Sequence, residues 1–137
     1  MLVGDILKKA AQEYPHKVGV VFGDKRLTWR EVNERVNALA NALLGMRLEK
    51  KSRVAILSRN CSEYLECNYA AAKAGLVVVP VNVRLSSSEL RYVIKHAEPS
   101  ALIINQDFIE AEKTISGELG EVVKIGIGDA HPYNFDY

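Results

Sequence analysis

Short runs rich in β-branched residues recur along the chain at Arg53 to Ser58, Leu76 to Pro80, Ala101 to Ile104 and Val122 to Ile127, and the inner ones are apolar throughout their cores. Runs of this length with no polar alternation suit strands buried on both faces, the habit of parallel sheets covered by crossover helices. Helical segments fall between them. The expected fold is therefore α/β: a doubly wound, mostly parallel sheet with helices on both faces.

The helix starts carry their own signals. Asp5 is placed to cap a first helix with Ile6, Leu7, Ala10, Ala11 and Tyr14 on one stripe, stopped by Pro15. Val18 to Phe22 and Arg26 to Thr28 flank Gly23-Asp24, the composition of a hairpin turn. Thr28 with Glu31 forms a T-x-x-E capping box, which satisfies two otherwise orphan backbone donors. Behind it Val32, Val36, Leu39, Ala40, Leu43 and Leu44 share a face that should pack on a sheet, and Gly45 is the expected left-handed stop.

Asn60 with Glu63 offers a second capping pair, opening a helix to about Lys73 that is apolar nearly all round and so should be largely buried; Gly75 ends it. Ser86 with Glu89 is a third, starting a helix with Leu90, Val93, Ile94 and Ala97 inward and closed by Pro99. Residues 107 to 115 have a weak helical pattern.

A chain of 137 residues, 48% hydrophobic and 26% charged, is expected to be a single α/β domain spanning 1–137. Eighteen Lys plus Arg against seventeen Asp plus Glu leaves a net charge of +1, which argues against a nucleic-acid partner. Lys50, Lys51 and Arg53 form the densest basic patch and read as a solvated loop. Cys61 and Cys67, six apart on one helix, project in different directions and should stay free thiols. With no apolar run long enough to span a bilayer, the expectation is no transmembrane segment and a cytoplasmic setting.

Few residues offer chemistry. His16, His96 and His131 lie in unrelated segments without a carboxylate or cysteine at metal-ligand spacing, so no metal site is expected. Gly126-Ile127-Gly128 lacks the third glycine of a dinucleotide fingerprint, since position 131 is His131, and reads as a loop. Ser86-Ser87-Ser88 has no nearby base and reads as a helix cap. In open parallel sheets ligands gather at the carboxyl ends of strands, here Ser58-Arg59-Asn60, Val81 to Leu85 and Asn105-Gln106. Arg59 and Arg84 each precede a helix start, where backbone N–H groups favour an anion, against the plainer reading of solvated loop arginines.

Leu27-Thr28-Trp29-Arg30-Glu31-Val32 is similar to the L-T-Y-x-E-L element of the adenylate-forming acyl-CoA synthetases, with Trp29 in place of Tyr. Arg53 to Asn60 resembles their D-R-V-A-I-x-x-x-N strand and turn. Ala72-Lys73-Ala74-Gly75 running into Val79-Pro80-Val81-Asn82 resembles K-A-G-x-x-x-V-P-[IV]-[ND], and Arg84 to Leu90 resembles N-x-R-L-S-x-x-E-L. The V-P-V-N-x-R-L form looks more like fatty-acyl or aryl-CoA ligases than peptide-synthetase adenylation domains.

The resemblance implies the N-terminal portion of a larger AMP-binding domain whose remainder is absent. It implies a parent that uses ATP, Mg and coenzyme A to convert a carboxylate to acyl-AMP and then acyl-CoA. The family's phosphate-gripping loop, its Mg-organising motifs and its catalytic lysine have no counterpart here. No catalytic residue is therefore assigned, this segment is expected to be an inactive scaffold, and none of the cofactors is expected to bind it tightly. Arg84 is the candidate contact for a CoA phosphate. The expected partner is the remainder of the parent ligase, with a homodimer through an exposed apolar face beside it. A free-standing nucleotide- or CoA-binding module, or a truncated structural protein, stands as the alternative.

Overall fold

The computed structural model describes residues 1–128. The chain divides into two compact units, one of Met1–Lys50 with Asn60–Leu76, the other of Lys51–Arg59 with the residues from Val77 onward.

The first unit holds α1 (Asp5–Glu13), β1 (Val18–Phe22), β2 (Lys25–Thr28), α2 (Trp29–Gly45) and α3 (Ser62–Ala74). Asp5 does not cap α1. Gly4 holds that position, and Asp5 Oδ2 instead accepts from the Leu2 N–H at 3.0 Å from inside the first turn. The helix stops before Pro15, its C-cap Tyr14 donating to the Ala10 carbonyl at 2.8 Å. β1 and β2 pair antiparallel about Gly23-Asp24, with Phe22 opposite Lys25. Gly23 alone of the turn pair has a positive φ (+56°), the pattern of a type II′ turn. The register slips between Val18 and Val20, a bulge centred on Gly19.

The Thr28–Glu31 capping box forms: Thr28 N–H donates to Glu31 Oε2 at 2.7 Å, and Glu31 N–H to Thr28 Oγ1 at 3.3 Å. Val32, Val36, Leu39, Ala40 and Leu43 are buried as their spacing requires, whereas Leu44 is exposed. Gly45 is not the left-handed stop. It remains helical, Met46 is the C-cap, and Arg47 takes the positive φ (+56°). Within its unit α2 packs on α1, α3 and the small hairpin, so the sheet it meets there is the two-stranded one. In α3, Tyr64, Leu65 and Tyr69 are only half-buried, and the fully buried residues include Cys67, Ala70, Ala71 and the acidic Glu66. Gly75 closes α3 in the left-handed region at φ +73°, as expected.

Lys25 Nζ meets Glu63 Oε1 at 2.6 Å across 38 residues. Burial pushes the Glu63 carboxyl up, but the Lys25 bond, its own backbone N–H and the Ser62 hydroxyl outweigh it, bringing the pKa from an ordinary 4.5 to about 2. A depressed folded-state pKa contributes stability that is complete above about pH 4.5 and is lost as the pH falls towards 2. Lys25→Met should therefore flatten the stability curve across that interval. Denaturation midpoints measured from pH 2 to 6 that run parallel in the two proteins would contradict this.

The second unit carries β3 (Arg53–Leu57), β4 (Val77–Pro80), α4 (Ser87–Ala97), β5 (Ala101–Asn105), a 3-10 turn at Gln106–Phe108, α5 (Ile109–Leu119) and β6 (Val123–Ile127). All four strands are parallel, in the order β4-β3-β5-β6, so the expected α/β class with a parallel sheet flanked by helices holds. Ala55, Leu57, Leu102 and Ile104 pack with Leu90 and Ile94 of α4 and Ile115 and Leu119 of α5. The alternating set Val54, Ile56, Ala101 and Ile103 is fully buried too, which explains why these strands read as unbroken apolar runs. Pro80 is tolerated because β4 lies at the sheet edge. Lys50 and Lys51 are exposed in the loop as expected, and Arg53, also exposed, heads β3 with its guanidinium donating to the Ala97 carbonyl at 2.9 Å. The weak helical pattern at 107 to 115 resolves into the 3-10 turn and α5, and α5 runs on to Leu119.

Candidate functional site

The chain runs from β3 to β4 on one side, then returns past β3 to lay down β5 and β6 on the other. Such a reversal splays the loops leaving the two central strands and leaves a crevice at their carboxyl ends. Here those loops follow β3 and β5.

Ser58 ends the β3 run, buried, its hydroxyl donating to the Arg59 carbonyl at 2.8 Å. Arg59 is exposed, and its guanidinium carbon lies 5.7 Å from the centroid of the Phe108 ring, a cation–π contact across the strand reversal. Phe108 is held there by the 3-10 turn, which Asn105 caps by accepting from the Asp107 N–H at 3.0 Å. Gln106 lies against Gly128: a Cβ there would come within 2.6 Å of Gln106 Oε1, and φ is +121°, so only glycine suits the position.

Arg84 follows the neighbouring strand β4. Asn82 Oδ1 accepts from the Arg84 N–H at 2.9 Å, a local turn that fixes the backbone before the α4 N-terminus. The Arg84 side chain is exposed and makes no hydrogen bond or ion pair among the described residues. The serine triplet is a cap, as expected. Ser86 Oγ donates to Glu89 Oε2 at 2.7 Å and accepts from the Glu89 N–H at 3.4 Å. The Ser86 hydroxyl and backbone N–H hold the Glu89 carboxyl below its usual range. Arg59 differs from expectation, because Asn60 does not cap α3. Cys61 does, its Sγ accepting from the Tyr64 N–H at 3.3 Å, and Lys25 and Ser62 engage the Glu63 carboxylate.

The remaining candidates stay apart. His16 is exposed, and His96 stacks on Tyr92 in the last turn of α4, ring centroids 6.2 Å apart. His131 lies outside the described residues. Gly126 and Ile127 belong to β6, paired with Ile104 and Asn105, so they are strand rather than loop. Among the described residues no group of three His, Cys, Asp or Glu could hold a metal ion. Cys61 and Cys67 are not joined in a disulfide, and burial pushes the Cys67 thiol far up, which makes it inert.

Sequence reasoning missed Phe108 and Gln106 as partners of this edge, although Asn105-Gln106 marked the strand end. It also missed two buried acids. Glu66, 1% exposed, receives Arg35 Nε at 2.8 Å, and Glu112, 3% exposed, meets Lys124 Nζ at 2.6 Å. Their partners Arg35 and Lys124 lie 31 residues before and 12 residues after them, too far in sequence for any local pattern to disclose the pairs.

A reversed parallel sheet flanked by helices places the chain in the α/β class, in which the carboxyl ends of the strands form the ligand-binding edge. The chain belongs to the AMP-binding enzyme family, whose model matches residues 7–134. It is 30% identical over 105 residues to 4-hydroxybutyrate–CoA ligase 2 of Metallosphaera sedula, covering 77% of this chain and 19% of that one. It is 29% identical over 102 residues to the peroxisomal benzoate–CoA ligase of Arabidopsis thaliana, covering 74% and 18%. Among solved structures it matches a Mycobacterium tuberculosis fatty acyl CoA synthetase with a TM-score of 0.84 and 28% identity, over 91% of this chain and 26% of that chain. The chain thus spans about a fifth of the length of these curated relatives. Among the described residues no helix is long and apolar enough to cross a membrane.

Proposed function

We propose that this chain is the N-terminal scaffold of an acyl- or aryl-CoA ligase, one portion of a larger AMP-binding domain. The parent would form acyl-AMP from a fatty acid or related carboxylate and MgATP, then pass the acyl group to coenzyme A. The observation that carries this reading is the family match over residues 7–134 in a chain about a fifth as long as its relatives. Arg84, exposed at the end of β4, is the residue assigned to a CoA phosphate, because a guanidinium matches phosphate geometry. The donor set at this edge suits phosphate oxygens and not Mg, so no step of the chemistry is assigned to these residues. The buried Cys67 thiol suits a reducing compartment such as the cytoplasm.

ATP–pyrophosphate exchange measured on this chain with MgATP and a panel of aliphatic and aromatic acids should stay at the blank. Exchange above it would overturn the scaffold reading.

A second reading, a module that binds CoA or a nucleotide without turnover, is favoured by Arg59 over Phe108 beside Arg84 on the adjacent strand end. Micromolar CoA binding by calorimetry, abolished in Arg84→Ala, would establish it, and a flat trace would remove it. The partner of the scaffold is the remainder of the ligase. Leu2, Val3, Val21 and Phe22, each at least 50% exposed, supply apolar surface for that contact or for a homodimer. Sedimentation as a concentration-independent monomer would remove the homodimer.

A further inference from the structure

The K-A-G element places Lys73 in the last turn of α3, and the site at the sheet edge makes no use of it. Its amine donates to two neutral amide oxygens of α2, Asn33 Oδ1 at 2.8 Å and Asn37 Oδ1 at 2.7 Å. Among the described residues no carboxylate lies within ion-pairing distance of it. Two acceptors match the two N–H bonds of a neutral amine and leave its lone pair unengaged, whereas an ammonium carries three donors and favours a carboxylate.

The stem of Lys73 lines a cleft of about 240 Å³ with Leu2, Gly4, Asp5, Lys8 and Ala72. Gly4 permits the close approach, since a Cβ there would come within 3.1 Å of Lys73 Cγ. Burial lowers the Lys73 pKa and the charge of Lys8 lowers it further, with Asp5 opposing.

We propose that Lys73 is a site of lysine acylation, its neutral amine attacking an acyl thioester that enters this cleft. The Nζ lone pair forms the new bond to the thioester carbonyl carbon, the C–S bond breaks, and the departing sulfur takes the amine proton to leave as a thiol. The resulting amide nitrogen keeps one N–H, so Asn33 or Asn37 loses its partner and the α2–α3 link through this side chain is halved. Acylation would thus loosen the first unit without touching the sheet edge.

The test needs no ligase activity, so it stands apart from the proposed function. The chain is incubated with the acetyl thioester of N-acetylcysteamine at neutral pH, and occupancy at each lysine is followed by peptide mass spectrometry. Lys73 should acetylate severalfold faster than the exposed Lys95, because its amide partners and burial favour the neutral amine. Asn37→Asp, a change at an exposed position, places a carboxylate beside the amine, holds it as ammonium and should bring the Lys73 rate down to that of Lys95. A Lys73 rate no faster than that of Lys95 in the unmodified chain would overturn the proposal. So would a fast rate indifferent to Asn37→Asp, which would show that the amide pair does not activate the amine.

Discussion

Arg35→Ala should lower the free energy of unfolding by about 3 kcal/mol, the low end of the cost of breaking a buried ion pair because the arginine is partly open to solvent. The partner is what makes the loss large. Glu66 is 1% exposed, and its second oxygen, Oε2, is buried with no hydrogen-bond partner. Removing the guanidinium that donates to Oε1 at 2.8 Å leaves a carboxylate inside the α2–α3 contact without compensation. Glu66 must then be solvated by local opening. Replacing both partners by apolar residues, Arg35→Met with Glu66→Leu, should restore most of the loss, because the cost belongs to the stranded charge. Urea denaturation of the parent chain and the two variants checks this. A single variant within 1 kcal/mol of the parent chain, as for ordinary surface pairs, would show that the pair does not hold α2 to α3.

Gly19→Ala should cost about 2–3 kcal/mol, at the upper end of ordinary overpacking. The Trp29 ring lies on the Gly19 backbone, so a Cβ at position 19 would run into Trp29 Cδ2. Neither side can yield easily. Gly19 sits in the β1 bulge, and the Trp29 backbone is pinned at the α2 start, its N–H donating to the Lys17 carbonyl at 3.0 Å. In a Trp29→Ala background the same substitution should be nearly neutral, because the atoms it would strike are gone. A double-mutant cycle on these two positions reads the coupling directly. Equal costs in both backgrounds would mean that the glycine serves the bulge backbone and not the indole.

Which features the sequence disclosed depended on how far away the deciding partner lay. The Thr28–Glu31 and Ser86–Glu89 boxes were legible because both members lie within one helical turn and nothing competes for their side chains. Asn60 with Glu63 has the same spacing and failed: α3 starts one residue later with Cys61 as its cap, and the Glu63 carboxylate goes to Lys25, distant in sequence. Gly45 was misread for a local reason. Helix α2 continues through it, and Arg47 accepts the left-handed turn despite its side chain. The parallel sheet was legible from its uninterrupted apolar strands, whereas the strand order was not, because all four runs look alike. That order is what sets Arg59 over Phe108. The sequence therefore located both carboxyl-end loops but could not pair them. Arg84 stood where it was expected, just before the α4 cap, because its position depends only on its neighbours.

The two units interleave along the chain, which passes between them after Lys50, Arg59 and Leu76. Neither unit is a continuous stretch of sequence. On a ribosome the first unit cannot close until α3 has emerged, and β3 waits for β4 and then for Ala101–Asn105 before both its edges are paired. An inner strand delivered so early spends synthesis with exposed backbone donors and acceptors, the condition under which nascent chains recruit chaperones or aggregate. Codon-level pausing after residue 76 should therefore alter the soluble yield of this protein more than pausing after residue 119, by which point β3 has strand partners on both sides.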